Sequence, residues 1–86
     1  MRYRLRDGVL AQTALPRAVL LDSERGEYAE INAVGTAMLR GLLDGLDADA
    51  VAARIAAEFE VDAAAAAADC RAFCADLVAR GLLEAQ

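Results

Sequence analysis

Residues 19–32, VLLDSERGEYAEIN, read as a short apolar strand, a polar turn and a second strand that runs into a helix start. Pro16 has no amide hydrogen and restricts Leu15, so the first of these strands begins past it, at about Ala18. The run to Asp22 is apolar nearly throughout, as an inner strand is. Ser23-Glu24-Arg25-Gly26 is turn chemistry, with Gly26 able to take positive φ. Residues 27–31 then alternate, sending Tyr28 and Glu30 to one face and Ala29 and Ile31 to the other. The expectation is a hairpin whose inner strand is Val19–Asp22 and whose open edge is formed by Tyr28, Ala29, Glu30 and Ile31.

Outward from this hairpin the chain changes character. On its N-terminal side, Arg2-Tyr3-Arg4-Leu5-Arg6 alternates basic and apolar positions as a half-exposed strand does, Asp7-Gly8 turns, and Val9–Gln12 adds a second short segment. On its C-terminal side everything reads as helix. Asn32 is an N-cap, and Val34, Met38 and Leu42, with Ala37 beside them, form an apolar stripe ending at Asp44-Gly45. Asp47 caps a second helix with Val51, Ile55 and Phe59 every four residues. Asp62 caps a third that runs to Arg80, with Gly81 as its left-handed terminal residue and Leu82 folding back on Leu77. The six alanines at 63–68 belong to this helix, because Ala is the strongest helix former. Strands followed by helices define an α+β fold, here one domain over residues 1–86 with three helices of about 11, 12 and 18 residues.

Composition narrows the chemistry. The chain has 86 residues, 22 of them Ala, and a net charge of −5, so its field repels phosphate backbones. There is no His, no Lys and only one Ser, which leaves no Ser-His, Cys-His or Schiff-base catalyst to assemble. Cys70 and Cys74 without His supply too few ligands for zinc, and as an i, i+4 helical pair they are poorly placed for a disulfide. They read as small buried apolar residues. The fourteen acids are spread over helix surfaces, with no glycine-rich phosphate loop. The sequence thus points to recognition, with no catalytic residue, metal or cofactor. No run approaches the roughly 20 apolar residues that cross a bilayer, and MRYRLRDGV lacks the apolar middle of a signal peptide, so a cytoplasmic protein is expected.

The third helix supplies the remaining wall of a candidate site. At about 100° per residue, Ala66, Cys70, Cys74 and Leu77 fall within about 80° and form the core face. Asp62, Asp69, Asp76 and Arg80 cluster on the adjoining sector, with Phe73 on the border. If the open strand lies beside this helix, its unpaired backbone groups are a template for an added strand. About four or five such hydrogen bonds, each worth ~0.5–1.5 kcal/mol net, are blind to sequence. Selectivity then falls to Phe73, Asp69 and Asp76, over an interface below ~1,200 Å².

Several motifs in order, Leu20-Leu21-Asp22, Gly26-x-Tyr28-x-x-Ile31-Asn32, Leu42-Leu43-Asp44-Gly45, Val51-x-x-x-Ile55 and Asp69-Cys70…Leu77…Gly81-Leu82-Leu83, together resemble the PqqD-like family. Its members are leader-peptide recognition elements of ribosomally made, modified peptides. The resemblance implies a winged-helix-like fold with a three-stranded antiparallel sheet followed by three helices. It also implies that a precursor's leader peptide adds as an antiparallel strand to the open edge and lies against the third helix. Carried onto this sequence, the backbone partners are Tyr28, Ala29, Glu30 and Ile31, and the facing helix positions are Asp69, Phe73, Asp76, Leu77 and Arg80. Ala29 is smaller than is common at its position, which implies a shallower pocket there. The stand-alone length and Arg-rich start look most like the discrete leader-binding proteins of lasso-peptide pathways, whose partners are a transglutaminase-like leader peptidase and a cyclase. A pyrroloquinoline-quinone-type peptide chaperone working with a radical enzyme fits the same pattern.

Two further readings stand beside this one. The strand and helix count suits a winged-helix DNA binder, although a recognition helix with this acidity opposes the phosphate field. A structural subunit could instead dock a partner enzyme through an apolar patch made by Tyr3, Val9 and Leu15.

Overall fold

The hairpin closes on Asp22 and Gly26. In a computed structural model, which describes residues 1–14 and 16–86, the Asp22 side chain is buried. Its Oδ1 accepts from the backbone N–H groups of Glu24 and Arg25, both at 3.2 Å. Gly26 supplies a φ of 69°. β1 (Tyr3–Leu5) and β2 (Val9–Gln12) precede β3 (Val19–Asp22) and β4 (Glu27–Glu30). β3 is the inner strand of a three-stranded antiparallel sheet ordered β2-β3-β4. Leu10 stands opposite Leu21, and Leu21 opposite Tyr28. The alternation read from the sequence holds: Val9, Leu20, Ala29 and Ile31 are buried, while Leu10, Leu21, Tyr28 and Glu30 face out.

The helices follow as α1 (Ala33–Leu43), α2 (Ala48–Glu58) and α3 (Ala63–Ala79). Each starts where its cap residue supplies an acceptor: Asn32 to the Gly35 N–H at 2.8 Å, Asp47 to that of Asp49 at 2.7 Å, and Asp62 to that of Ala65 at 3.1 Å. Such caps are worth about 1 kcal/mol each. α3 buries Ala66, Cys70, Cys74 and Leu77, the four positions that its periodicity assigns to the core. It ends in a Schellman stop: the Leu82 N–H donates to the Leu77 carbonyl at 2.9 Å and the Gly81 N–H to that of Val78 at 3.0 Å, with Gly81 at φ 74°. No helix among the described residues is long and apolar enough to cross a membrane.

Some expectations are corrected. After the Gly81 reversal the chain forms β5 (Leu83–Ala85), which pairs antiparallel with β1 and so makes a separate two-stranded sheet, with Leu5 opposite Leu83. Three residues carry too little periodicity to announce a strand. Burial of Leu82 and Leu83 brings this segment alongside β1, and pairing with β1 makes it strand. Val34 is 37% exposed and Phe59 36%, so neither completes its helix's core stripe. Thr36 and Leu39 are buried on α1 instead. The docking patch of Tyr3, Val9 and Leu15 does not hold: Val9 is buried, Tyr3 is half-buried against the core, and Leu15 lies outside the described residues. A different apolar row occupies the outer sheet face, formed by Leu10, Leu21 and Tyr28 in register.

One buried hydroxyl ties the helical layer to the sheet. Thr36 Oγ1 accepts from the Ala18 N–H at 2.8 Å and donates to the Ile31 carbonyl at 3.3 Å. Beside it the Ile31 N–H donates to the Ala18 carbonyl at 2.8 Å. The β3–β4 ladder therefore ends on α1.

At Gly81 a Cβ would collide with the guanidinium of Arg25 and press on that of Arg6, in a backbone region that L-residues avoid. Gly81→Ala is expected to cost about 1–3 kcal/mol. At about 4–8 °C per kcal/mol for a domain of this size, the loss is readable by thermal denaturation. An unchanged midpoint would contradict the stop as described.

Candidate functional site

The hydrogen-bonding frame of β4 decides what its open side offers. In an antiparallel ladder successive residues direct their backbone groups to opposite sides. The Ile31 N–H points to Ala18, so Glu27, Ala29 and Ile31 face β3, while Tyr28 and Glu30 face away. Among the described residues no strand pairs with that outer side. The four-residue edge read from the sequence thus narrows to two residues carrying four backbone groups.

One of the four is already engaged. Arg80, the C-cap of α3, donates through Nη2 to the Tyr28 carbonyl at 3.1 Å and to Glu27 Oε1 at 2.9 Å. Its Nε reaches the same carboxylate oxygen at 3.3 Å, and Asp76 Oδ2 lies 3.8 Å from Nη1. Arg25 Nη1 donates at 3.3 Å to the Arg80 carbonyl, placing a cation at the negative end of the helix.

Beyond the edge lies a trough between the start of α1 and α3. One part, of about 180 Å³, is lined by Glu30, Ile31, Asn32, Phe73, Asp76, Leu77 and Arg80. The next, of about 340 Å³, is lined by Asn32, Val34, Gly35, Met38, Asp69 and Phe73. Asn32 and Phe73 belong to both, so the half-buried ring of Phe73 is the shared floor. It fits because position 35 is glycine: a Cβ there would stand 2.7 Å from Ile31 Cγ2 and 3.0 Å from Phe73 Cε1. Carboxylates rim the apolar floor. Asp69 stands at the far end, Asp76 beside Arg80, and Glu30 makes an exposed pair with Arg17 at 3.4 Å.

Of the residues singled out in the sequence, Glu30, Ile31, Asp69, Phe73, Asp76, Leu77 and Arg80 all meet at this trough. Tyr28 contributes edge backbone, with its ring 56% exposed on the outer sheet face. Ala29 faces the core at 4% exposure, so the shallow pocket expected there does not exist. Leu77 is 1% exposed and supports the trough from beneath. Sequence reasoning missed Asn32, Val34, Gly35 and Met38 as lining. A signal was present in Gly35, since glycine inside a helix costs about 1 kcal/mol against Ala and marks close approach.

Neither cysteine belongs to the site. Both are free and buried. The Cys74 thiol is held well above its ordinary pKa by its hydrogen bond with Cys70 and by burial, so it stays protonated. Among the described residues no group of His, Cys, Asp and Glu assembles into a metal site.

The fold and the trough define a small α+β domain that leaves the β4 edge of its three-stranded sheet unpaired beside a helix. The chain belongs to the family described as coenzyme PQQ synthesis protein D (PqqD), whose model matches residues 17–83. Two solved structures are similar along the full length. One is a lasso peptide synthetase B1 complexed with the leader peptide, with a TM-score of 0.90 and 29% identity, covering 99% of this chain and 100% of that one. The other is TbiB1 in complex with the TbiA(beta) leader peptide, with a TM-score of 0.88 and 29% identity, covering 100% and 98%. No curated protein matches the chain in sequence.

The packing of Phe73 on Gly35 is testable without a ligand. Gly35→Ala forces the ring or Ile31 to move and is expected to destabilise by about 1–3 kcal/mol, the usual penalty for overpacking. Chemical denaturation reads the cost, and ring-proton shifts of Phe73 report the displacement. Wild-type stability together with unmoved Phe73 resonances would refute the contact.

Proposed function

We propose that this protein binds the leader region of a ribosomally made precursor peptide and passes it to the enzymes that modify it. The leader adds as an antiparallel strand against Tyr28 and Glu30 of β4, while its side chains enter the trough over Phe73. The observation that carries this reading is the unpaired β4 edge beside that trough, in a chain similar over its whole length to two proteins in complex with leader peptides.

The division of labour follows from the chemistry. Hydrogen bonds to Tyr28 and Glu30 accept any extended peptide, so they supply affinity without choice. The trough selects: Phe73 and Val34 offer apolar contact over buried Met38, and Asp69 and Asp76 favour basic or neutral side chains over acidic ones. Residues 1–86 act as one recognition domain and supply no catalytic group. The receiving enzymes are a transglutaminase-like leader peptidase and a cyclase, in the cytoplasm where the precursor is made. Delivery requires a surface that stays open while the peptide is bound, and the outer-face row of Leu10 and Leu21 is suited to that.

The PqqD family match favours a second reading, in which the same edge serves a pyrroloquinoline-quinone-type peptide chaperone and the receiving partner is a radical enzyme. The neighbouring genes separate the two. A short precursor beside a peptidase and an asparagine-synthetase-like cyclase supports the first, and a radical enzyme supports the second.

Titration with the labelled leader of the neighbouring precursor tests the site. Saturable binding is expected, weakened about tenfold or more by Phe73→Ala, which corresponds to about 1.4 kcal/mol. Asp69→Arg is expected to weaken it further for a leader carrying a basic residue. No saturation at tens of micromolar, or binding indifferent to both changes, would sink the proposal.

A further inference from the structure

The edge that would receive the peptide is closed at one end by the protein itself. Of the four outward backbone groups on β4, the Tyr28 carbonyl accepts from Arg80 Nη2 at 3.1 Å. An added strand would run about 4.8 Å from β4 in the hydrogen-bonding direction. A donor 3.1 Å from that carbonyl therefore stands inside the lane the strand needs. The guanidinium is held there from two sides, by Glu27 Oε1 through both Nη2 and Nε and by Asp76 Oδ2 near Nη1. Its base is fixed too, because Arg80 is the C-cap of α3 and its own carbonyl is engaged by Arg25.

We infer that Arg80 is a latch on the open edge: in the free protein it occupies the Tyr28 carbonyl, and the incoming strand must displace it to complete the ladder. The inference rests on the strand-addition reading of the site. Displacement is local, since Glu27 and Asp76 flank the guanidinium and retain it when it leaves the carbonyl. The side chain is 37% exposed, which leaves room to rotate. In the closed position the latch also blunts an edge that a second copy could otherwise pair with, a hazard of any exposed strand. Because Arg80 covers Tyr28 and leaves Glu30 uncovered, pairing starts at Glu30 and extends toward Tyr28.

Three variants separate the latch from a direct peptide contact. Arg80→Met keeps an unbranched apolar stem and removes the guanidinium with its donors, so it vacates the carbonyl. Glu27→Gln weakens the anchor and leaves the guanidinium. Arg80→Lys keeps the charge but has no planar fork to serve Glu27 and the carbonyl together. Binding of the labelled leader of the neighbouring precursor is measured for each by fluorescence anisotropy, alongside the melting temperature and the ¹⁵N–¹H signals of Arg80 Nη2 in the wild type.

The expected result is binding several-fold tighter than wild type for Arg80→Met, with smaller gains for Glu27→Gln and Arg80→Lys. Any loss of thermal stability would then oppose the gain in affinity. In the wild type the Arg80 Nη2 signals shift as peptide is added, because that group loses the Tyr28 carbonyl. Binding by Arg80→Met alone would support the latch most strongly. Equal or weaker binding by Arg80→Met, with wild type bound, overturns it, and weaker binding makes Arg80 a peptide contact. A wild type that binds with no movement of the Nη2 signals overturns it as well. Failure of every protein to bind strikes the strand-addition reading itself and takes the latch with it.

Discussion

The junction of Ala18, Ile31 and Thr36 is the constraint on which the rest depends. The Ile31 N–H to Ala18 carbonyl bond sets the phase of the β3–β4 ladder, and phase in a strand is binary. Shifted by one residue, Tyr28 and Glu30 would turn their backbone groups inward and Ala29 would lose its place in the core. Thr36 Oγ1 then stitches α1 to the same two residues from within the core. Stranding these buried polar groups would cost about 1–3 kcal/mol for each left unpaired. One hydroxyl thus couples the orientation of the edge to that of the helical layer, and so to the position of the trough.

From that junction the site follows by packing. α1 leaves β4 at Asn32, and Gly35 one turn later lets Phe73 of α3 approach. The ring becomes the floor between two concavities that share it. In the proposed function, backbone groups at Tyr28 and Glu30 would provide an indiscriminate surface, and the acidic, apolar-floored trough a selective one. Arg80 belongs to both, bonded to the edge carbonyl and lining the trough. Recognition in the proposed sense is therefore a property of two elements held in one geometry, and neither the hairpin nor α3 alone would supply it.

Much of this was legible in the chain. The strand–turn–strand pattern, the three caps at Asn32, Asp47 and Asp62, and the 3.6-residue stripe of Ala66, Cys70, Cys74 and Leu77 are local signals, and each survives into the structure. What stayed hidden depends on non-local partners. β5 is strand because β1 lies beside it, and three residues cannot announce that. Val34 fits the apolar period of α1 yet faces the trough, because periodicity marks a stripe and does not say which of its borders is covered. The frame of β4 rests on one hydrogen bond between residues 31 and 18, and side-chain alternation shows which face a residue takes without fixing which side its backbone groups point. The family resemblance set Arg80 among the helix positions facing the peptide, and only its distance to Tyr28 reveals that it bonds the strand edge itself.

Amide hydrogen exchange with and without the leader peptide tests the central claim most directly. Peptide is expected to slow exchange at the Tyr28 and Glu30 amides, which point outward, and to leave those of Ala29 and Ile31, already bonded to β3, little changed. Protection confined to another surface, or saturable binding with Tyr28 and Glu30 exchanging as before, would contradict strand addition at β4.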